Sequence, residues 1–462
     1  MYGRYLYRKK MIAALGLVSF SLLFAGALSI NGVRSDEGTG KAVYSIAQTT
    51  KSQPVKVLAN GSADISTEPY FTKQWALEND GTFVLDTRGE NGENLNNGGY
   101  YNPGDFFRIQ PRRGGRSIDF RGMFGYIIGG RDQTRSRTYA SAYGSSKTLA
   151  VSDVDIDVAK AWQTVGNAGR EVIVAVIDTG VDYTHEDLAD AIWVNSGEIP
   201  GDGIDNDHNG YIDDVYGWDF YNNKAYVYNS RKSSEYDHGT HCAGTIAAEI
   251  NGTGIAGIAS NGNIKIMTIK ALGGKDGAGD TDAIIKAIQY AQNMGASICN
   301  FSFGTTADDE NLKKAIADSG MLFVCAAGNG DDSGKGTDND TTPVYPASFD
   351  LDNIISVANL TYDGTLDASS NYGSKSVDIA APGTDILSTL AGSQYGYLSG
   401  SSMAAPMVTA VAALTYSYDK SASLKEVKDI VLSSVKKLDS LKGKVATQGM
   451  VDAYNAVAKV SK

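Results

Sequence analysis

The chain has 462 residues, enough for up to about three average domains or for one large α/β domain with a sizeable core. Its formal net charge of −12 argues against a nucleic-acid partner, because binding to phosphates depends on clustered Lys and Arg. Its three cysteines, Cys242, Cys299 and Cys325, suit neither a disulfide framework nor a zinc site, so we expect buried free thiols.

The N-terminus has the pattern of a secretory signal. An uncharged apolar run extends from Met11 towards Ile30 and contains Ala25-Gly26-Ala27, and a basic head precedes it. The pattern predicts a signal peptide over residues 1–27 and a secreted, extracellular protein. The alternative is an uncleaved membrane anchor, because the apolar run is nearly long enough to span a bilayer.

Residues 88–147 are rich in Gly, Asn, Tyr and Arg and show little hydrophobic periodicity. That composition predicts a loop-like insertion. Two short stretches within it, residues 106–109 and 117–120, are candidates for a β-hairpin. The basic character of the insertion suits an acidic partner or an activating cleavage, and a solvated loop is the plainer interpretation.

From about Glu171 onward, short apolar runs rich in β-forming residues alternate with helical patterns. Strands are predicted at residues 172–177, 264–269, 297–301, 322–326 and 354–357. Apolar residues three and four positions apart predict helices at 282–293 and 311–318. The alternation is typical of a three-layer α/β fold, in which helices flank a central, mainly parallel sheet on both faces.

Three segments carry candidate catalytic residues. Asp178 ends the first apolar run, and the carboxyl ends of parallel strands are where α/β folds gather their sites. His238 begins a helical pattern, where it could act as a general base. Ser402 begins another, where free helix amides would help to hold an oxyanion. Taken singly, each residue also has a plain structural role, such as a turn residue or an N-cap.

An acidic loop between the aspartate and the histidine is dense in oxygen ligands. Asp205, Asp207 and Asn209 alternate as in an EF-hand. The glutamate of the twelfth position is absent, and Asp213 or Asp214 would have to replace it. The loop predicts a structural Ca²⁺ site, with a merely solvated acidic loop as the alternative.

The order Asp, His, Ser distinguishes the subtilisin arrangement from other catalytic triads. With its Asp-Thr-Gly, His-Gly-Thr-His and Ser-Met-Ala-x-Pro segments, the chain resembles the subtilase family of serine endopeptidases from about Gln74 to the C-terminus. The resemblance implies that Asp178 orients the imidazole, that His238 shuttles protons and that Ser402 forms the acyl-enzyme. A lipase or esterase of the α/β-hydrolase type is excluded, because there the serine comes first.

The resemblance extends to the oxyanion hole. The strand from Phe323 leads to Asn329 as it does to the oxyanion asparagine of the family, which implies that Asn329 donates its amide to the tetrahedral intermediate. Ser401 stands where the family usually has threonine, and Met407 stands where histidine commonly follows the proline. Neither departure removes a group that the mechanism needs.

The resemblance also implies a substrate groove that holds an extended peptide between two edges. The predicted edge residues are Gly277 and Gly279 on one side and Ser302, Phe303 and Gly304 on the other. Phe303, together with Ala327 and Gly328, is expected to form the wall of an apolar-leaning S1 pocket. We expect broad specificity for protein or peptide substrates and a monomeric enzyme; a non-catalytic binding protein with this fold is the alternative.

Two further residues, Asp187 and Asn251, match by type the positions that bind a structural calcium in many subtilases, and a helix cap and a turn asparagine are the alternatives. Residues 68–77 resemble the opening of many mature subtilase domains. This implies a zymogen with a short propeptide or extension at 28–67 and a catalytic domain at 68–462 that contains the insertion. The competing view places a prosegment up to about Leu149, with maturation near Ser152.

Overall fold

The computed structural model describes residues 33–35, 42–44, 67–83, 85, 109–110, 150–164, 169–274, 277–331 and 333–460. The chain divides into two units, Met1–Pro54 and Val55–Lys462. In the first unit, strand β1 (Val33–Ser35) pairs antiparallel with β2 (Ala42–Tyr44). The predicted signal peptide and all but two residues of the predicted insertion lie outside the described residues.

The second unit contains the remaining strands and the helices. Its strands are β3 (Ile109–Gln110), β4 (Val172–Asp178), β5 (Ile264–Lys270), β6 (Leu272–Gly273), β7 (Ala278–Asp280), β8 (Ile298–Phe301), β9 (Leu322–Ala326), β10 (Ile354–Leu360), β11 (Ile379–Pro382), β12 (Ile386–Leu390), β13 (Gln394–Leu398), β14 (Lys436–Lys437) and β15 (Gly449–Met450). Its α-helices are α1 (Val158–Thr164), α2 (Asp237–Ala247), α3 (Thr281–Asn293), α4 (Glu310–Asp318), α5 (Ser401–Tyr418), α6 (Leu424–Ser433) and α7 (Ala453–Val460). The strands and helices predicted from the sequence are confirmed at nearly their predicted bounds.

An eight-stranded sheet forms the centre of this unit, in the order β14-β15-β11-β10-β9-β8-β4-β5. All of its neighbouring strands are parallel except the β14–β15 pair. Because β5 and β8 lie on opposite sides of β4, the direction in which successive strands are added to the sheet reverses there, and such a switch point opens a crevice at the carboxyl end of β4. Asp178 is the last residue of β4.

Alternate residues of one strand enter two different cores. Val174 and Val176 of β4 pack in a cluster with α2 and α5, whereas Ala175 and Ile177 pack in another with α3 and α4. A period of two is what a strand covered on both faces requires. The three-layer α/β fold predicted from the sequence is confirmed.

The segment at residues 67–83 packs against other parts of the second unit. Trp75 is 1% exposed, and its indole N–H donates to the Thr384 carbonyl (3.0 Å). The side chain of Gln74 exchanges hydrogen bonds with the backbone of Ala256 (3.0 and 2.9 Å). Among the described residues, we find no helix with the length and apolarity that crossing a membrane requires.

Candidate active site

Asp178 and His238 meet at the carboxyl end of β4. The imidazole Nδ1 lies 2.8 Å from Asp178 Oδ1, and both side chains are buried, at 3% and 0% exposure. Because a carboxylate only accepts, Nδ1 carries the proton and Nε2 keeps its lone pair. The residues that follow these two in the chain are also bonded to each other, since the Gly239 N–H donates to the Thr179 hydroxyl (3.1 Å). The structure thus brings together the predicted acid and base.

The other three histidines have different surroundings. His241 is fully buried, its Nε2 donates to the Ile386 carbonyl (2.9 Å), and burial lowers its pKa to about 3. His185 spans the Gln394 carbonyl and the Asp187 N–H, and burial lowers its pKa too. His208 bonds to a carbonyl of the acidic loop. Within the described part of the chain, His238 is the one histidine of the four whose ring is hydrogen-bonded to a carboxylate.

Ser402 lies in the first turn of α5 and is 5% exposed. It exchanges two hydrogen bonds with Ser302: the Ser402 hydroxyl donates to the Ser302 carbonyl (2.9 Å), and the Ser302 hydroxyl donates to the Ser402 carbonyl (2.8 Å). Asn300 Nδ2 in turn donates to the Ser302 hydroxyl (2.9 Å). The end of β8 therefore fixes the start of α5. Burial raises the pKa of the nearby Cys242 thiol well above its usual value, which keeps it protonated.

Asn329 lies three residues beyond the end of β9, beside the start of α5. Its side-chain carbonyl accepts from the N–H (2.8 Å) and from the hydroxyl (2.9 Å) of Ser401. These two bonds orient the amide, so Nδ2 is the donor that the side chain presents. Gly400 lies against this nitrogen, since a Cβ at Gly400 would be 3.2 Å from it.

One predicted edge of the substrate groove already has a partner. Gly279 of β7 pairs with Leu272 of β6 on one side and with Ile109 of β3 on the other. The β3–β7 pair is parallel. Gly277 precedes this strand at φ +57°. Of the hairpin predicted for residues 106–109 and 117–120, residue 109 alone is described, so the hairpin stays a prediction.

The second predicted edge of the substrate groove consists of buried residues. Ser302, Phe303 and Gly304 are buried, and the ring of Phe303 packs on Phe301 with centroids 4.7 Å apart. Ala327 and Gly328, the residues before Asn329, are also buried. Phe303 is 0% exposed and belongs to a core cluster that includes residues of β8, and its place in the wall of the S1 pocket stays a prediction.

The acidic loop brings together Asp205 and Asp207, as predicted, and adds Glu198, which the sequence did not single out. Carboxylate oxygens of the three lie within 4.8 Å of one another. Glu198 also accepts from the backbone N–H of Asn206, Asp207 and Asp213, so it organises the loop. Such a cluster of carboxylate oxygens fits Ca²⁺.

The two residues predicted for the twelfth position bond to other groups in this structure, and their role as ligands stays a prediction. Asp213 accepts from the N–H groups of Gly201 (2.8 Å) and Gly203 (3.2 Å). Asp214 is buried and accepts from the Tyr290 hydroxyl (2.6 Å). Asn209 donates to Asp207 and Asp214 as a spacer between them.

Asp187 forms a second acidic cluster, with Glu68 rather than with the side chain of Asn251. Asp187 Oδ1 and Glu68 Oε2 are buried and have no hydrogen-bond partner among the described residues. Burial raises the pKa of Glu68 to about 7 and the pKa of Asp187 well above its usual range. Asn251 instead bonds to the Thr253 N–H and the Glu186 carbonyl. Two buried, partnerless carboxylate oxygens fit a cation.

Lys270 is a further residue that sequence motifs did not indicate. It pairs with Asp178 across β4 and β5 and is 1% exposed. Its ammonium donates to the carbonyls of Thr179 (2.7 Å) and Leu272 (2.8 Å), and burial lowers its pKa. A lysine that ends an apolar strand reads as surface in the sequence; only the fold shows that it secures the turn after Asp178.

Known proteins resemble the chain over more than half of its length. The model of the subtilase family of S8 peptidases matches residues 169–451. A thermophilic serine proteinase of Bacillus sp. (strain AK1) is 35% identical over 334 residues, 70% of this chain and 69% of the relative. The major intracellular serine protease of Bacillus subtilis (strain 168) is 37% identical over 259 residues, 55% of this chain and 71% of the relative. A solved protease structure from Pseudoalteromonas arctica is 29% identical, with a TM-score of 0.49, and the match covers 66% of this chain and 94% of that one.

Proposed function

The chain belongs to the subtilase family and is a serine-type endopeptidase, and we propose that Asp178, His238 and Ser402 are its catalytic triad, with Asn329 as the oxyanion donor. The single observation that carries this assignment is the buried 2.8 Å contact between His238 Nδ1 and Asp178 Oδ1. It leaves Nε2 as the one nitrogen of that ring able to take a proton from a hydroxyl.

The reaction follows from this tautomer. The Ser402 hydroxyl turns from the Ser302 carbonyl to His238 Nε2, gives up its proton there, and its oxygen bonds to the carbonyl carbon of the substrate. The C–N bond then breaks, and the leaving amine takes the proton from His238. Water repeats the two steps on the acyl-enzyme and releases Ser402. Asp178 stabilises the imidazolium throughout and stays ionised.

The negative charge of the tetrahedral intermediate falls on the former carbonyl oxygen. Asn329 Nδ2 would donate to it, because the side-chain carbonyl of Asn329 is already bonded to Ser401. The first N–H groups of α5 add the positive end of the helix dipole. Removing one such donor costs about 10²- to 10³-fold in kcat.

Active-site labelling tests the assignment. Purified protein should cleave casein and react with a serine-directed phosphonate at Ser402, and Ser402→Ala should do neither. Ser401→Ala is the matched control, because it removes the neighbouring hydroxyl and leaves the proposed nucleophile. Labelling that survives Ser402→Ala would disprove the assignment. A protein that neither cleaves casein nor reacts with the phosphonate, and so behaves like Ser402→Ala, would favour the binding-protein alternative.

Substrate binding in this groove requires a rearrangement. A peptide that adds to β7 has to displace β3, which pairs along the same strand. We therefore propose that the enzyme is made as a zymogen whose own residues 109–110 cover the edge, and that its specificity is broad with an apolar-leaning S1 pocket. N-terminal sequencing and intact mass of the secreted protein, compared with Ser402→Ala, would test this. A fully active chain with residues 28–147 intact would contradict it.

Calcium is proposed at both acidic clusters. Glu198, Asp205 and Asp207 would hold one ion at the acidic loop. Asp187 would hold the other together with Glu68, which belongs to the segment at residues 67–83. Bound ions would neutralise these carboxylates and tie the segments together. Chelation should lower the melting temperature of Ser402→Ala protein. Glu198→Gln and Glu68→Gln should each remove part of the Ca²⁺ effect, and an unchanged melting temperature on chelation would refute both sites.

We further propose a secreted, monomeric enzyme. The proposal rests on the signal-like pattern of residues 1–27, with an uncleaved anchor as the alternative. Fractionation of expressing cells should find the protein in the medium with a new N-terminus after about Ala27. Light scattering of Ser402→Ala should give the mass of one chain. Recovery of the full-length chain in the membrane fraction would favour the anchor.

A further inference from the structure

Asn371 lies in the connection between β10 and β11, outside every segment that the sequence motifs singled out, and is 1% exposed. Its side-chain carbonyl accepts from the N–H of Gly330 (2.9 Å) and from the N–H and hydroxyl of Thr337 (2.9 and 3.0 Å). Gly330 directly follows Asn329. One acceptor atom thus holds the backbone immediately after Asn329.

The amide nitrogen of Asn371 binds the backbone before Asn329. It donates to the Ala327 carbonyl (3.2 Å) and to Asn339 Oδ1 (2.9 Å). Asn339 donates to the same Ala327 carbonyl (2.8 Å), and the Asn371 N–H donates to the Gly328 carbonyl (3.0 Å). Asn371 is therefore hydrogen-bonded to the backbone both immediately before and immediately after Asn329.

The fit between Asn371 and this backbone is close. Gly328 has φ +113°, and a Cβ there would lie 2.5 Å from Asn371 Nδ2. Glycine is the residue that accepts both this φ and this approach. With the Asn329 carbonyl already bonded to Ser401, the backbone bonds made by Asn371 leave the Asn329 side chain little freedom to tilt.

We propose that Asn371 is a positioning residue for the oxyanion hole, which aims Asn329 Nδ2 at the oxygen that becomes negative in the transition state. The inference rests on the proposed role of Asn329. An oxyanion donor stabilises charge because it is in place before the charge forms, and a misplacement of about 1 Å can cost about 10²-fold in rate. Since the donor acts on the transition state, losing its support lowers kcat and leaves KM nearly unchanged.

The test compares Asn371→Ser, Asn329→Ala and the double variant, using a peptide p-nitroanilide for kcat and KM. A peptide aldehyde, which forms a tetrahedral adduct, reports affinity for the charged state. We expect Asn371→Ser to lower kcat about 10- to 100-fold with KM within about twofold, and to weaken aldehyde binding in proportion to kcat/KM. In the double variant the two losses should not multiply, because no donor remains to be positioned.

Asn79→Ser is the matched control. Asn79 is also buried, its carbonyl accepts from the Gly81 N–H (3.0 Å) and its amide donates to the Val154 carbonyl (3.1 Å), away from Asn329. It should lower the melting temperature with kcat unchanged. The inference is overturned if Asn371→Ser loses no more kcat than this control, or if its loss multiplies with that of Asn329→Ala. If Asn329→Ala keeps full kcat, the proposed role of Asn329 itself is wrong, and the inference falls with it.

Discussion

Replacing Gly239 with alanine sets two effects of opposite sign against each other. Inside a helix, alanine is favoured over glycine by about 1 kcal/mol. Gly239 is the third residue of α2, however, and a Cβ there would lie 2.3 Å from the Gly180 carbonyl oxygen and 3.2 Å from Asp178 Oδ1. The start of α2 would have to move by about 1 Å to relieve the first contact.

We expect the steric effect to win. Overpacking of this kind costs about 1 to 3 kcal/mol. Less the gain of about 1 kcal/mol in helix propensity, the net loss is up to about 2 kcal/mol, which lowers the melting temperature by up to about 4 °C. The same movement carries His238 away from Asp178, which now lies 2.8 Å from it. Because a displacement of about 1 Å in a catalytic group can cost about 10²-fold, kcat/KM should fall about 100-fold.

The assay measures kcat/KM on a peptide p-nitroanilide, with the active serine titrated by a phosphonate, and melting of the Ser402→Ala forms by calorimetry. Ala243→Gly in the same helix is the matched control. It deletes a buried methyl group and lowers helix propensity without touching Asp178, so it should lower the melting temperature and keep kcat. A Gly239→Ala enzyme that melts higher than the parent and cleaves at the parental rate would refute the reasoning.

Three further outcomes are expected. Asp178→Asn should lower kcat about 10⁴-fold with little change in KM, because the amide favours the wrong imidazole tautomer; a loss below tenfold would count against the triad. The pKa of His241 is lowered to about 3, so the stability that this ring provides is complete above about pH 6.5 and is lost as the pH falls, by about 2 kcal/mol at pH 5. Urea unfolding of Ser402→Ala should therefore depend less on pH between 6.5 and 4 once His241→Gln is added, and equal slopes would contradict this. Phe323 is fully buried against Phe301, and its replacement by alanine should cost about 3 to 5 kcal/mol. A loss below about 0.5 kcal/mol in thermal melting, as for an ordinary surface change, would contradict this.

The three residues of the proposed triad share one property: each lies at one end of an element with a strong local pattern. Asp178 ends an apolar strand, and His238 and Ser402 lie in the first turns of helices α2 and α5. Local periodicity was also enough to predict the central strands, two of the helices and the three layers of the second unit.

The residues that the sequence did not identify act across long separations in the chain. Glu68 Oε1 accepts a hydrogen bond from the Gly252 N–H, and the charge of the same carboxylate acts on Asp187. Glu198 accepts from N–H groups that lie 8 and 15 residues further along the chain, in the acidic loop. No short-range pattern marks such pairs, because a lone acidic residue in sequence has the appearance of ordinary surface. The burial of Phe303 was also not evident, because it belongs to a core cluster that includes residues of α3 and α4.

The alternation along β4 has a consequence for how the enzyme fails. Val174 and Val176 belong to one core and Ala175 and Ile177 to the other, so the strand that ends in Asp178 is clamped by both helix layers. Its amides can exchange with deuterium only when both layers separate, which is global unfolding. Heat should then abolish catalysis and tertiary structure in the same cooperative transition, with no earlier inactivation at Asp178.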